Sequence, residues 1–247
     1  SSVASNPINS RVISKVVPLM IMIYMGCAFY VIATHVTEIP YYFSLIITEA
    51  FSLNSVGGGI LGTMLIGIRR AAFSNEAGIG TEVMAHGSAK TNEPVKEGLV
   101  AMLGPAIDTL IVCTLTALAI LVTGVWQTTS DNGVSLTAAA FHHVMPIYGK
   151  YLLMVCVAIF SISSLFSYAY YGSKCLSFLI GADKKHYYNY IYILSIILAA
   201  TTPFSVMLNL IDGVFALMAI PTMLATIIMA PKVVREIKAY LKRLNKT

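Results

Sequence analysis

The run Gly57-Gly58-Gly59-Ile60-Leu61-Gly62, continuing through Ile68-Arg69-Arg70-Ala71-Ala72-Phe73-Ser74-Asn75-Glu76-Ala77-Gly78-Ile79-Gly80, places three charges and two hydrogen-bonding side chains inside an otherwise apolar stretch. Read as one helix rising about 1.5 Å per residue, it carries Arg69 roughly 18 Å from Gly57. That is past the middle of a hydrocarbon core about 30 Å thick. A charge there costs about 2.5–3.5 kcal/mol on insertion scales, so Arg69, Arg70 and Glu76 do not face lipid. Phe-Ser-Asn-Glu-Ala-Gly is also a poor continuation of an apolar helix. A helix that unwinds near Phe73–Gly78 inside protein accounts for both facts, because irregular backbone at membrane depth is tolerated only where it is buried or lines a cavity. Such breaks offer carbonyls to cations and N–H groups to carboxylates, as in many secondary transporters. The alternative ends the span near Ala72 and makes Ser74–Gly80 a cytoplasmic turn with snorkelling arginines.

Other residues with chemical potential are sparse. Asp108 and Asp212 sit in apolar segments, where a carboxylate is a functional suspect by default; pairing with Arg69 or Arg70 gives them a structural or gating role, and proton coupling is the sharper reading. Glu76 is suited to bonding unwound backbone. Ser161, Ser163 and Ser164 lie mid-way along a long apolar run, and Ser161, Ser164, Tyr168 and Tyr171 share a helix face by spacing. Hydroxyls in such helices bond back to their own backbone, pack against neighbours, or ligate a hard cation; spacing alone leaves all three open. The pair His142-His143 has no cysteine or carboxylate at ligand spacing and reads as solvated loop. Cys27, Cys113, Cys156 and Cys175 form no CxxC pair and read as small core residues.

The elements that must hold these residues follow from composition. Hydrophobic residues make up 57% of the 247 and charged residues 11%, against roughly 25% charged in soluble domains. Apolar runs of bridging length recur along the chain, so the fold class is all-α, a polytopic membrane helix bundle. Expected spans are Val12–Ala33, one starting near Gly57 and interrupted at Phe73–Gly80, Gly98–Val122, Lys150–Ile180, Tyr188–Thr201 and Phe204–Ala230. The first ten residues read as a loop and Tyr41–Phe51 as a short interfacial helix. Thr81–Glu97 and Trp126–Tyr148 are polar connections, the latter with Asp131, and Trp126 suits an aromatic belt.

The net charge of +5 belongs to membrane topology rather than to nucleic acid. With the N-terminus inside, the cations from Arg11, Lys15, Lys90, Lys96, Lys174, Lys184 and Lys185 fall on the cytoplasmic side, as do those of the tail, and only Lys150 falls outside. Both ends of the chain are then cytoplasmic. Pro231 opens a basic tail, 231–247, with Lys232, Arg235, Lys238, Lys242, Arg243 and Lys246. It reads either as an amphipathic helix lying on anionic membrane lipid or as the solvated end of the last helix. The chain opens Ser1-Ser2 without Met, so it is expected to lack N-terminal helices of a longer protein.

The stretch Gly67–Gly80 resembles the hallmark of the alanine or glycine:cation symporter family (sodium:alanine symporters). Pro94-Val95, Glu97-Gly98, Ile107-Asp108-Thr109-Leu110-Ile111-Val112-Cys113-Thr114-Leu115-Thr116-Ala117-Leu118, Phe160-Ser161-Ile162-Ser163-Ser164 and Tyr170-Tyr171-Gly172 resemble it too. The family often carries Gly where Ala71 or Ala72 stands, and Ser-Thr where Ser163-Ser164 stands. The resemblance implies a LeuT-type five-plus-five inverted-repeat fold, of which one transporter domain, 1–247, covers about helices five to ten, the interrupted span being helix six. It implies sodium-coupled symport of a small neutral amino acid, alanine or glycine, across the plasma (inner) membrane, with Na⁺ as coupling ion and no other cofactor. Phe73, Ser74, Asn75 and Gly78 are the implied substrate residues, with free N–H groups at the half-helix start drawing a carboxylate. Ser163 and Ser164 are the implied sodium ligands.

Two other classes of protein fit the sequence less well. An intramembrane protease would use Asp108 and Asp212 as a carboxylate pair sharing a proton, but neither sits in a Gly-x-Gly-Asp context, and Gly-x-Ser-x-Gly and His-Glu-x-x-His motifs are missing from the sequence. An enzyme is therefore not expected. A channel needs repeated pore-lining rings, and nothing in the sequence suggests them.

Overall fold

The computed structural model describes residues 7–50, 59–76, 78–130, 132–181, 183 and 186–245. Among these every regular element is helical. In chain order the helices are α1 (Pro7–Thr34), α2 (Ile39–Ala50), α3 (Gly59–Asn75), α4 (Thr81–His86), α5 (Pro94–Val122), α6 (Val125–Thr128), α7 (Val134–Val144), α8 (Gly149–Ile180), α9 (His186–Thr201) and α10 (Phe204–Leu244). The expected start near Gly57, the end at Phe51, and Asp131, Lys184, Lys185 and Lys246 lie outside the described residues.

One expectation is corrected: residues 7–10, read as loop, are helical, because α1 begins at Pro7, where a missing N–H costs nothing at a first helical position. In the tail, α10 runs through Pro231 to Leu244, in keeping with the reading of that segment as the end of the last helix. A proline inside a helix loses one backbone bond, and here the strong helix formers Lys232, Arg235, Glu236, Lys238, Ala239 and Leu241 outweigh it. Among the described residues, four of the six expected spans are helical segments long and apolar enough to cross a bilayer: Lys15–Thr34, Pro94–Val122, Gly149–Ile180 and Phe204–Leu244. The described parts of the other two, α3 and α9, are 17 and 16 residues long.

Exposure supports the membrane reading. Leu110 is 72% and Phe178 90% exposed, among dozens of large apolar side chains left uncovered along these helices. Soluble monomers rarely leave contiguous apolar patches beyond a few hundred Å², and lipid is the solvent that accepts such a surface.

The chain divides into two compact units. One gathers α1, α2, the part of α5 from Ile111, α6, α7, α8 and α9 as far as Leu198. Its core joins Ala28, Val31 and Ile32 of α1, Tyr42 of α2, Ala119 and Val122 of α5, Phe141 of α7 and Leu153 of α8. Because lipid is as apolar as these side chains, close packing and interhelical hydrogen bonds hold such helices together. Tyr24 and Thr116 share a hydrogen bond between α1 and α5, and the Tyr24 ring lies 5.7 Å from that of Phe141. Cys156 is buried against the Met20 carbonyl, and the four cysteines, all among the described residues, form no disulfide. Trp126 is 40% exposed at the head of α6.

The turn from α7 to α8 makes one sharp demand. A Cβ on Gly149 would stand 2.3 Å from the Phe141 carbonyl oxygen, while Met145 N donates to that same oxygen at 2.8 Å. Backbone cannot swing aside as a side-chain tip can. Gly149→Ala should therefore destabilise the protein by about 1–3 kcal/mol, the range for overpacking, seen as an earlier melting transition in detergent. An unchanged melt would show the turn to be looser than its geometry.

The second unit holds α3 from Leu61, α4, α5 as far as Leu110, and the chain from Ala199 through α10. Here α5 departs from regular α-helix. Pro105 lies within it, and residues Asp108–Cys113 form a wider π-helical turn. Such turns occur often at functional sites.

Candidate functional site

α3 does stop within the expected range Phe73–Gly80. Phe73, Ser74 and Asn75 are its last helical residues, and Glu76 and 78–80 stand outside regular helix before α4. Ser and Asn are acceptable in a last turn whose carbonyls need no further helical partner. The reversal comes where positive φ is available: Glu76 at 54°, Gly78 at 86° and Gly80 at 96°.

Both polar residues of that last turn reach the π-turn of α5. Ser74 Oγ donates to Asp108 Oδ2 at 2.5 Å, and Asn75 Nδ2 donates to Thr109 Oγ1 at 2.8 Å. A hydrogen bond to a charged acceptor contributes about 1.5–3 kcal/mol, so the Ser74–Asp108 bond is the stronger tie. Of the two aspartates that could pair with Arg69 or Arg70, Asp212 faces Arg70, Nη2 to Oδ2 at 3.5 Å, while the Asp108 carboxylate accepts from Ser74.

The N–H groups at the break are not free. Gly78 N donates to Glu82 Oε1 at 3.1 Å and Gly80 N to Glu82 Oε2 at 3.0 Å. One side chain in the first turn of α4 thus fills the role expected of a substrate carboxylate. Glu82, in the first turn of α4, accepts from both backbone donors across the bend. On the other side Ile79 and Thr81 are 3% and 5% exposed, and Gly80 abuts Thr222 of α10.

Two oxygens at this bend are left over. Asn75 Oδ1 and Thr81 Oγ1 are buried without a hydrogen-bond partner among the described residues. An unmet buried acceptor costs about 1–3 kcal/mol, a cost that a ligand donor such as an ammonium group removes. Asp108, Thr109, Glu82 and Thr81 complete a constellation that the sequence reading assigned only in part, since the pairs lie 34 residues apart.

The other sequence candidates fall in the first unit. Ser163 Oγ donates to its own helix at Phe160 O, 2.8 Å, and Ser167 Oγ to Ser163 O at 3.1 Å, the back-bonding pattern of membrane helices. Ser164 is half-buried on α8. The Tyr168 and Tyr171 rings meet edge to face at 6.0 Å. The His143 ring lies 6.4 Å from that of His35, and no group of three or more His, Cys, Asp or Glu fit for a metal ion occurs among the described residues.

Long apolar helices and an interrupted helix carrying polar side chains define a helical membrane protein built around a break. The chain belongs to the sodium:alanine symporter family, whose model matches residues 7–247. It is 34% identical over 230 residues to the uncharacterized transporter YflA of Bacillus subtilis (strain 168), covering 90% of this chain and 49% of that protein. It is 33% identical to the sodium/alanine symporter AgcS of Methanococcus maripaludis, covering 91% and 50%. To the probable sodium/glutamine symporter GlnT of B. subtilis it is 30% identical, covering 95% and 49%. The chain spans about half the length of these curated relatives.

Proposed function

We propose that the protein is a secondary active transporter that couples sodium entry to uptake of a small neutral amino acid, alanine or glycine, by alternating access. The observation that carries this reading is the interruption after Asn75, with the buried Asn75 Oδ1 beside it, which has no hydrogen-bond partner among the described residues. A zwitterionic amino acid brings the ammonium donor that such an oxygen lacks. Family membership supports cation-coupled amino-acid transport, and the relatives described as alanine and glutamine symporters make side-chain size the open variable.

In this reading the chain supplies helices five to ten of a LeuT-type inverted repeat, α3 and α4 being the two halves of helix six and α8 helix eight. Phe73, Ser74, Asn75 and Gly78 line the substrate pocket, and Ser163 with Ser164 gives oxygen to sodium. N-terminal helices supply the other half of each site, and the cation bias puts both ends of this chain in the cytoplasm of a plasma-membrane protein. Sodium and amino acid then favour each other's binding by the same factor.

The test is uptake of labelled alanine and glycine by the full-length protein in proteoliposomes. Accumulation should require an inward sodium gradient, and Asn75→Ala should lower it about tenfold, the equivalent of roughly 1.4 kcal/mol. Equal accumulation in potassium alone would overturn the sodium coupling. Full activity in the Asn75 variant would overturn the pocket.

A further inference from the structure

We propose that Glu82 is a positioning residue: its carboxylate clamps the interruption between α3 and α4 and thereby sets affinity for the transported solute. The inference rests on the reading above that the break receives the solute.

Its basis is the convergence of two backbone donors on one side chain. Gly78 N and Gly80 N each reach a different oxygen of the same carboxylate, at 3.1 and 3.0 Å. Both donors belong to residues with positive φ, so the clamp acts on peptide units that have left the helix. Between and beyond them, Ile79 and Thr81 are buried. Asn75 and Thr81, whose side-chain oxygens have no hydrogen-bond partner among the described residues, flank 76–80, so any relaxation of that stretch moves the groups that would grip a ligand.

Carboxylate chemistry is specific for this task. Ionised glutamate is acceptor-only, with two oxygens, which matches two N–H donors. Glutamine keeps one acceptor and turns an amide N–H₂ toward the other donor. Aspartate, one methylene shorter, does not span to both from the same backbone position.

The experiment measures hydrogen exchange over peptides covering 76–82, together with uptake kinetics, on the full-length protein. In Glu82→Gln, amides of that stretch should exchange about tenfold faster and KM for alanine should rise about tenfold, one lost hydrogen bond to a charged group sufficing for either. Maximal rate per folded transporter should stay within about twofold, the signature of lost ground-state binding. Glu82→Ala should exceed both effects, and Glu82→Asp should resemble Gln. A merely structural role would lower the melting temperature and the yield and leave KM alone; that pattern, or unchanged exchange, overturns the proposal. If the wild-type protein binds no amino acid, the transport reading fails, and the exchange measurement still decides whether the clamp exists.

Discussion

Replacing Gly80 by valine is expected to abolish measurable uptake and to cut the yield of folded protein. Gly80 has φ 96° and ψ −6°, a conformation that costs an L-residue about 1–2 kcal/mol and a β-branched one more. Its backbone also runs against α10: a Cβ would stand 2.9 Å from Thr222 Oγ1 and 3.7 Å from Cγ2. That hydroxyl is no loose end, since it donates to Met218 O at 2.9 Å. Overpacking of this kind adds about 1–3 kcal/mol. The two terms together are comparable with a large fraction of a domain's whole stability. They are separable by experiment. Thr222→Ala combined with Gly80→Ala removes the clash and leaves the backbone cost, so the double variant should recover part of the loss and no more. Full recovery would assign the whole effect to packing. A Gly80→Val protein with normal uptake would show that the chain does not take this bend in the working transporter.

The sequence and the structure agree where length and punctuation carry the information. The predicted span Lys150–Ile180 differs by one residue from α8, because an apolar run ends there at Gly181 and the polar residues after it. The first span was placed inside α1 and the fifth inside α9 for the same reason. Where tertiary contacts decide, the sequence was silent. The last turn of α3 is tied to α5 by Ser74–Asp108 and Asn75–Thr109, pairs 34 residues apart that no local pattern announces. That Glu82 partners the bent backbone turns on the direction of α4, and six residues of weak helical pattern do not announce it. Pro231 looks like a terminator in any local reading; α10 overrides it because one missing hydrogen bond is small against a helix of 41 residues. The candidate site was therefore legible as a segment and not as a network.

Neutralising Asp212 will measure how deep in the membrane the end of α3 lies. Arg70 Nη2 and Asp212 Oδ2 are 3.5 Å apart, with the arginine side chain 47% and the aspartate 15% exposed in the chain by itself. That separation is at the long limit for a hydrogen bond, so the attraction is chiefly Coulombic and its strength follows the surrounding medium. In water an exposed pair contributes about 0–1 kcal/mol, and Asp212→Asn would then change the folded, active fraction by less than about fivefold. In a lipid-bounded interior, the same change leaves a cation without its counter-charge, at about 2.5–3.5 kcal/mol on insertion scales, which is about 100-fold. The larger loss is the expected result, because Arg70 sits roughly 17 Å along α3 from Gly59. A charge swap, Arg70→Asp with Asp212→Arg, should restore most of the folded protein, since a Coulombic tie survives exchange of its ends. The small effect would favour the cytoplasmic-turn reading of Ser74–Gly80. The large effect with rescue places Asn75 and its unpaired oxygen at the depth where a solute crossing the membrane must be held.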